Sequence, residues 1–171
     1  MDKYIPDIYQ KSIYTINYDQ LYNRGIKCML FDIDNTLVPA YGKEIDDKLK
    51  SLFTDLKAKG IEPIIFSDSS KKRVNLFKDS FEIDGYSHVH LFFNKKINAI
   101  LSKYKEPEIA IVGDQMISDI AFGNKIGITT ILVNPISNKD KFFDGGKRNK
   151  EKRIMTKLRN NNLFVKGRYY E

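Results

Sequence analysis

The 171-residue sequence has one cysteine, no tryptophan, two histidines and five prolines. A lone cysteine, Cys28, excludes an intrachain disulfide. It sits in the apolar run "CMLF" and reads as a small buried hydrophobe rather than a nucleophile. No Cys/His spacing suggests structural zinc. His88 and His90 flank Val89 in "SHVHLFF" and read as loop or strand-edge residues rather than metal ligands. No apolar run approaches about eighteen residues, so no membrane span is expected. The stretch "MDKYIPDIYQKSIYTI" lacks an apolar signal core and a small-residue cleavage site, which makes the cytosol the expected compartment. Neither GxxxxGK[ST] nor GxGxxG occurs, which argues against a P-loop or a dinucleotide site.

Hydrophobic residues make up 42% of the chain, enough for a single domain over 1–171 with a substantial core. The net charge is +7, and it is unevenly placed. Residues 139–171 hold 11 Lys/Arg against 4 Asp/Glu, while the preceding residues balance. Such a basic end attracts nucleic acid, an anionic membrane surface or an acidic substrate, unless it is only a solvated helix face.

Strands and helices alternate along the chain. The apolar residues at roughly 27–31 run together instead of alternating, the pattern of a strand buried on both faces, and "EIAIVGDQ" is a strong strand ending in Gly and Asp. "IEPIIF" and "ITTILV" are further strands, and "HVHLFF" is a weaker one. "IYTINYDQLYNRGIKCMLFD" reads as a short helix, a Gly turn and a strand, and further helices are expected in "DDKLKSLFTDLKAKG", stopped by Gly60, and in "SKKRVNLFKDSF", where Val74, Leu76 and Phe77 are available for packing. Others are expected in "KKINAILSKY", in "MISDIAFGNKIG" and in the basic segment after Gly145-Gly146. This order predicts an α/β fold: a three-layer, Rossmann-like sandwich with a mostly parallel sheet and no second domain. "DIDNT", "SDSS" and "GDQ" each follow a strand. In a parallel sheet such positions gather on one edge, the usual binding crevice.

Asp32 and Asp34 point the same way if the strand continues through Ile33. Two adjacent carboxylates near a dry core need a compensating charge. A magnesium ion, which takes hard oxygen ligands, supplies one. Asp114 and Asp119 add oxygen ligands from a second strand end. Such a centre suits phosphoryl transfer. One aspartate attacks phosphorus, while the other protonates the leaving group and then activates water. Ser67 or Thr36 offers a hydroxyl to the phosphoryl oxygens, and Lys95 or Lys96 an ammonium. Each piece has a simpler reading alone: Ser67 as a helix cap, the lysines as solvated, Asp114 as a loop residue. The ordered combination favours the catalytic one.

"DIDNT", "IIFSDS", Lys95 and "IVGDQMISDI" together resemble the four motifs of the haloacid dehalogenase-like (HAD) hydrolases, over roughly residues 27–133. The wording is closer still to the YqeG-like phosphatases of subclass III A, a resemblance that extends to "PDIY" and to the basic C-terminal helix. It implies Asp32 as nucleophile and magnesium ligand, and Asp34 as general acid/base with its backbone carbonyl on the metal. It implies Thr36 as support of the nucleophile loop and Ser67 as phosphoryl binder. Lys95 is the motif lysine, Asp114 a metal contact, and Asp119 a ligand or its support. The chain departs from the pattern at Asp68, where Asn is usual, and at Lys95-Lys96, where Lys-Pro is usual.

About thirty residues separate Thr36 from Ser67, and about thirty more lead to Lys95. Ordinary helices and strands fill both intervals, which leaves no room for a large cap domain. In the superfamily, open sites of this kind often serve bulky substrates. Relatives in fungal mitochondria are similar to phosphatidylglycerophosphate phosphatases, so the resemblance implies a phospholipid head group as substrate. The basic tail would then draw the protein to the inner face of an anionic membrane without spanning it. The alternatives are a phosphoacceptor module and a nucleic-acid-binding or scaffold protein on the same fold. The order of motifs argues against the first, and the lack of aromatics interleaved on a basic strand against the second.

Overall fold

The computed structural model describes residues 1–90, 93–138 and 145–170. Six parallel strands form one sheet: β1 (Ile8–Gln10), β2 (Cys28–Phe31), β3 (Glu62–Phe66), β4 (Asp84–Tyr86), β5 (Ile109–Gly113) and β6 (Thr129–Val133). Their spatial order is β1-β6-β5-β2-β3-β4. The chain runs from β2 outward to β3 and β4, then returns to place β5 on the other side of β2. Between β2 and β5 the winding reverses, and a crevice opens at the strands' carboxyl ends.

The helices are α1 (Tyr18–Asn23), α2 (Asp47–Lys59), α3 (Lys71–Phe81), α4 (Phe93–Leu101), α5 (Ala121–Ile126) and α6 (Gly145–Asn160). A π-helical turn, Met116–Ile120, runs directly into α5. Asp46 caps α2 by accepting from the Leu49 N–H at 2.8 Å, and Gly60 ends that helix at φ +94°. Ser70 caps α3. The Ser67 side chain is thereby left for another task.

Strand β2 is fully buried on both faces, as its unbroken apolar run implies. Met29 and Phe31 point to the side of α1, α2 and α3, where Leu21, Phe53, Leu56 and Phe77 cover them. Cys28 and Leu30 point to the opposite side, toward Ile97 and Ile100 of α4. Burial pushes the Cys28 thiol up to about 12, consistent with an inert core residue. On α3 the packing residues are Val74, Phe77 and Phe81, whereas Leu76 faces solvent. Leu76 lies beside Phe77 in sequence, but its direction points off the buried stripe.

Two strand expectations change. In "HVHLFF", His88–His90 form a turn, while Leu91 and Phe92 lie outside the described residues. The strand instead occupies Asp84–Tyr86 and pairs with β3. β1 was not expected at all. It joins the far edge by pairing Ile8 with Ile131. A third apolar cluster lies behind it, where Tyr9, Leu132, Met116 and Ile120 receive Ile154 and Leu158 from α6 and Phe164 beyond it. The basic C-terminal helix is therefore docked on the core through one face. Of the basic extension over 139–171, residues 139–144 lie outside the described residues.

Candidate active site

The register of β2 against β5 brings two of the sequence-predicted carboxylates together. Phe31 pairs with Val112, and the Asp32 N–H donates to the Val112 carbonyl at 3.1 Å. Asp32 and Asp114 thus leave adjacent strands at the same edge. Asp119 returns from the π-helical turn, where its carboxylate also accepts from the Gln115 N–H at 3.1 Å. π-helical turns are often found at functional sites. One oxygen from each of Asp32, Asp114 and Asp119 lies within 4.8 Å of the others. Gly113 makes the close approach possible, because a Cβ there would overlap the Asp119 carboxylate.

Ser67, at the end of β3, donates to Asp32 Oδ1 at 2.6 Å. Thr36 is buried and donates to Asp114 Oδ1 at 3.4 Å. Between Asp34 and Thr36, Asn35 adopts φ +61° and turns the loop. Its side-chain oxygen accepts from the Ser137 hydroxyl at 2.7 Å, which ties this loop to the segment after β6.

The Asp34 carboxylate faces another way. It accepts from the Ser69 hydroxyl and the Tyr41 N–H, both at 2.9 Å, and from Arg73 Nη2 at 2.9 Å. Its side chain therefore does not belong to the three-carboxylate cluster, and only its backbone is left for the metal role expected of it. Lys95 is exposed on α4. Lys96 is half-buried, and its ammonium feels the Asp68 carboxylate. Burial holds its pKa below the ordinary lysine value despite Asp68. Asp68 itself accepts from the His90 N–H at 3.3 Å. The structure does not bring Lys95 to the carboxylates as expected, because its place on α4 turns it to solvent.

Three residues absent from the sequence reading complete the site. Arg73 pairs with Asp34. Arg148, from the first turn of α6, forms an ion pair with Asp114. Glu151, one turn on, accepts from Arg148 Nη1 and from the Ile117 N–H, both at 3.2 Å. It thereby fastens α6 to the start of the turn that carries Asp119. One signal pointed to Arg148. α6 opens with Lys147-Arg148 and has no acid in its first turn. Cations at a helix N-terminus oppose the macrodipole, so something else must hold them there.

The electrostatics fit a divalent cation. Burial pushes Asp114 up to about 7, with Arg148 pulling down and Asp32 pushing further up. Burial, then the charges of Asp32 and Asp114, holds Asp119 well above the carboxylate range. Asp114 and Asp119, which resist ionisation beside Asp32, form with it a set of hard oxygen donors of the kind that suits such a cation. Asp32 and Asp119 open on a cleft of about 480 Å³ whose walls include Asp68, Arg73, His90 and Lys147.

A family model described as mitochondrial PGP phosphatase matches residues 1–137. The chain belongs to this family. Its relatives include the probable phosphatase YqeG of Bacillus subtilis, 30% identical over 91% of this chain and 92% of that protein. They also include phosphatidylglycerophosphate phosphatase 1, chloroplastic/mitochondrial, of Arabidopsis thaliana, 26% identical over 81% of this chain and 43% of that longer protein. Among solved structures, the putative 3-deoxy-D-manno-octulosonate 8-phosphate phosphatase of Vibrio cholerae shares the fold. Its TM-score is 0.51 at 16% identity, over 85% of this chain and 92% of that one. The chain is a phosphatase of this family, with a parallel α/β core and, among the described residues, no large cap domain.

Proposed function

We propose that the protein is a magnesium-dependent phosphomonoester hydrolase that works through a phosphoaspartate on Asp32, with a phospholipid head group of the phosphatidylglycerophosphate type as substrate. The observation that carries this reading is the junction of Asp32, Asp114 and Asp119, the first and last of which line an open cleft, with Ser67 bonded to Asp32.

Asp32, Asp114, Asp119 and the Asp34 backbone carbonyl are the groups that would hold magnesium, which when bound neutralises phosphate charge. An Asp32 oxygen attacks phosphorus, forming one P–O bond as the bond to the leaving oxygen breaks. Asp34 gives that oxygen its proton, and later takes one from the water that hydrolyses the phosphoaspartate. Arg73, Ser69 and the Tyr41 N–H orient Asp34 for both steps. Ser67 binds the phosphoryl group once the hydroxyl turns from Asp32. Thr36 braces Asp114. Lys96, rather than Lys95, is the ammonium of this reading, because it is half-buried and within the electrostatic reach of Asp68, a residue of the cleft wall.

The open cleft suits a head group presented at a surface. No helix among the described residues is long and apolar enough to cross a membrane. α6 spends its apolar residues Ile154 and Leu158 on the core and leaves Lys152, Arg153, Lys157 and Arg159 exposed. Attraction to an anionic cytoplasmic leaflet would therefore be electrostatic, about 1 kcal/mol for each basic residue near the surface. Purified protein, magnesium and liposomes containing phosphatidylglycerophosphate test the substrate. Phosphate release abolished by chelator is expected. No release, with soluble phosphomonoesters still hydrolysed, would overturn the lipid assignment.

A further inference from the structure

A second cavity, of about 680 Å³, lies between the end of β6, α6 and the residues that follow it. Among the described residues it shares no wall residue with the catalytic cleft, yet Asp114 lines it. Its volume is that of a site for a whole small molecule. Its floor is apolar, with Met116, Leu132, Met155 and the Tyr9 ring. The polar atoms there serve the protein: the Tyr9 hydroxyl donates to Asn134, whose amide donates to the Tyr169 hydroxyl at 3.1 Å. The rim is basic. Lys152, Arg159 and Lys166 stand exposed around it, and among the described residues no carboxylate pairs with any of the three. The two acids of the wall, Asp114 and Glu151, both pair with Arg148.

Cations gathered round a concavity with apolar walls focus a positive potential into it and draw an anion. Thioethers, here those of Met116 and Met155, take the face or edge of an aromatic ring. The combination selects a molecule with a flat body and a multiply charged end. Two bonds join this cavity to the catalytic site. Arg148 pairs with Asp114, and the Ser137 hydroxyl donates at 2.7 Å to Asn35, in the loop after Asp32. The cations around Asp114 repel a divalent ion held there, and an anion among them offsets that repulsion. Linkage makes the effect mutual, so the metal strengthens the anion's binding by the same factor.

We propose that this cavity is a second ligand site, for a small dianion of the nucleoside-monophosphate type, and that the bound ligand strengthens metal binding at the neighbouring carboxylates through Arg148. The ligand site stands on its own geometry, and only the coupling rests on the metal-dependent phosphatase reading above.

The probe is the phosphonate isostere of AMP, in which a P–C bond replaces the ester and leaves nothing for the catalytic site to hydrolyse. Calorimetry on the full chain in chelator measures the second site alone, because the metal-free catalytic carboxylates repel an anion. One-to-one binding is expected, about tenfold or more tighter than orthophosphate or adenosine, since the probe joins both halves in one molecule. K152A/R159A/K166A should weaken it about tenfold or more. K71A/K72A, an exposed pair on α3 next to Ser70 of the catalytic cleft, should leave it within about twofold. Saturating phosphonate should raise the magnesium affinity of the wild type about fivefold, and that of K152A/R159A/K166A not at all. No binding in chelator, binding no tighter than that of orthophosphate, or binding weakened by K71A/K72A instead of by the triple variant would overturn the site and leave the phosphatase reading standing. A magnesium affinity indifferent to the phosphonate would overturn the coupling. A wild type that binds no magnesium under either condition would overturn the metal-dependent reading and the coupling with it.

Discussion

The Arg73–Asp34 pair links stability to the proposed proton carrier. Arg73 Nη2 lies 2.9 Å from Asp34 Oδ1, and the two side chains are 13% and 6% exposed. Methionine at position 73 would keep the stem's contact with Phe77, whose ring centroid lies 5.3 Å from the guanidinium carbon. It would remove the charge and both hydrogen bonds to Asp34. Asp34 would keep the Ser69 hydroxyl and the Tyr41 N–H. Removing one partner of a buried pair costs about 3–5 kcal/mol, and the two surviving bonds place R73M near the lower end, about 3 kcal/mol. At this chain length that is a fall in Tm of about 6–12 °C. D34N should cost less, about 1–2 kcal/mol, because Arg73 is the more exposed partner. The double variant D34N/R73M buries no lone charge. Its cost should fall short of the sum of the singles by about 2 kcal/mol. Urea denaturation of the four proteins in chelator, followed by circular dichroism, measures this directly. Additivity within about 0.5 kcal/mol would refute the pair as a buried interaction.

Stability should depend on pH in opposite senses with and without magnesium. Asp114 is raised to about 7 in the folded protein and titrates near 3.9 when unfolded, so between these values the native state holds the extra proton. Metal-free stability should therefore fall as pH rises through this window, by about 1.4 kcal/mol per unit for each such proton, and magnesium should reverse the trend. Thermal melts from pH 5.5 to 7.5 check it, and a metal-free Tm that rises with pH would contradict it. G113A should displace the Asp119 carboxylate and lower magnesium affinity about tenfold or more by calorimetry. Unchanged affinity would remove Asp119 from the metal set. K96A should lower kcat/KM about 100-fold while K95A stays within about twofold, and the reverse order would restore Lys95. F53A should cost about 3–5 kcal/mol by urea denaturation, because Phe53 stacks on Phe81 at 4.1 Å in the core; a loss under about 1 kcal/mol would contradict that packing.

The central strands were legible because burial on both faces writes an unbroken apolar run into β2 and β5. The carboxylate edge followed from that, since "DIDNT" and "GDQ" come directly after those runs. The sheet's edges were harder. β1 has three residues, and its partner Ile131 lies far along the chain from Ile8. β4 reads "DGY", a segment with little strand propensity that is held by its register on β3. The cations were the least legible. Arg73 lies 39 positions from Asp34, and Arg148 lies 34 from Asp114. Neither pairing has a local pattern, because both depend on how α3 and α6 lie against the crevice. Even so, the misplaced positive charge at the start of α6 was visible in "GGKR". In Lys95-Lys96 the sequence placed both ammonium groups, and only the rotation of α4 separates the half-buried one from the solvated one.

The most direct measurement is acid-quench trapping of the phosphorylated protein. Wild type and D32N are mixed with magnesium and a phosphomonoester labelled in the transferred phosphoryl group, quenched within the first turnover, and digested for peptide mapping. The label should appear on the wild-type peptide that contains Asp32, and D32N should show neither label nor turnover. A labelled peptide that excludes Asp32, or a D32N protein that hydrolyses the substrate as fast as wild type, would contradict the assignment of Asp32 as the nucleophile.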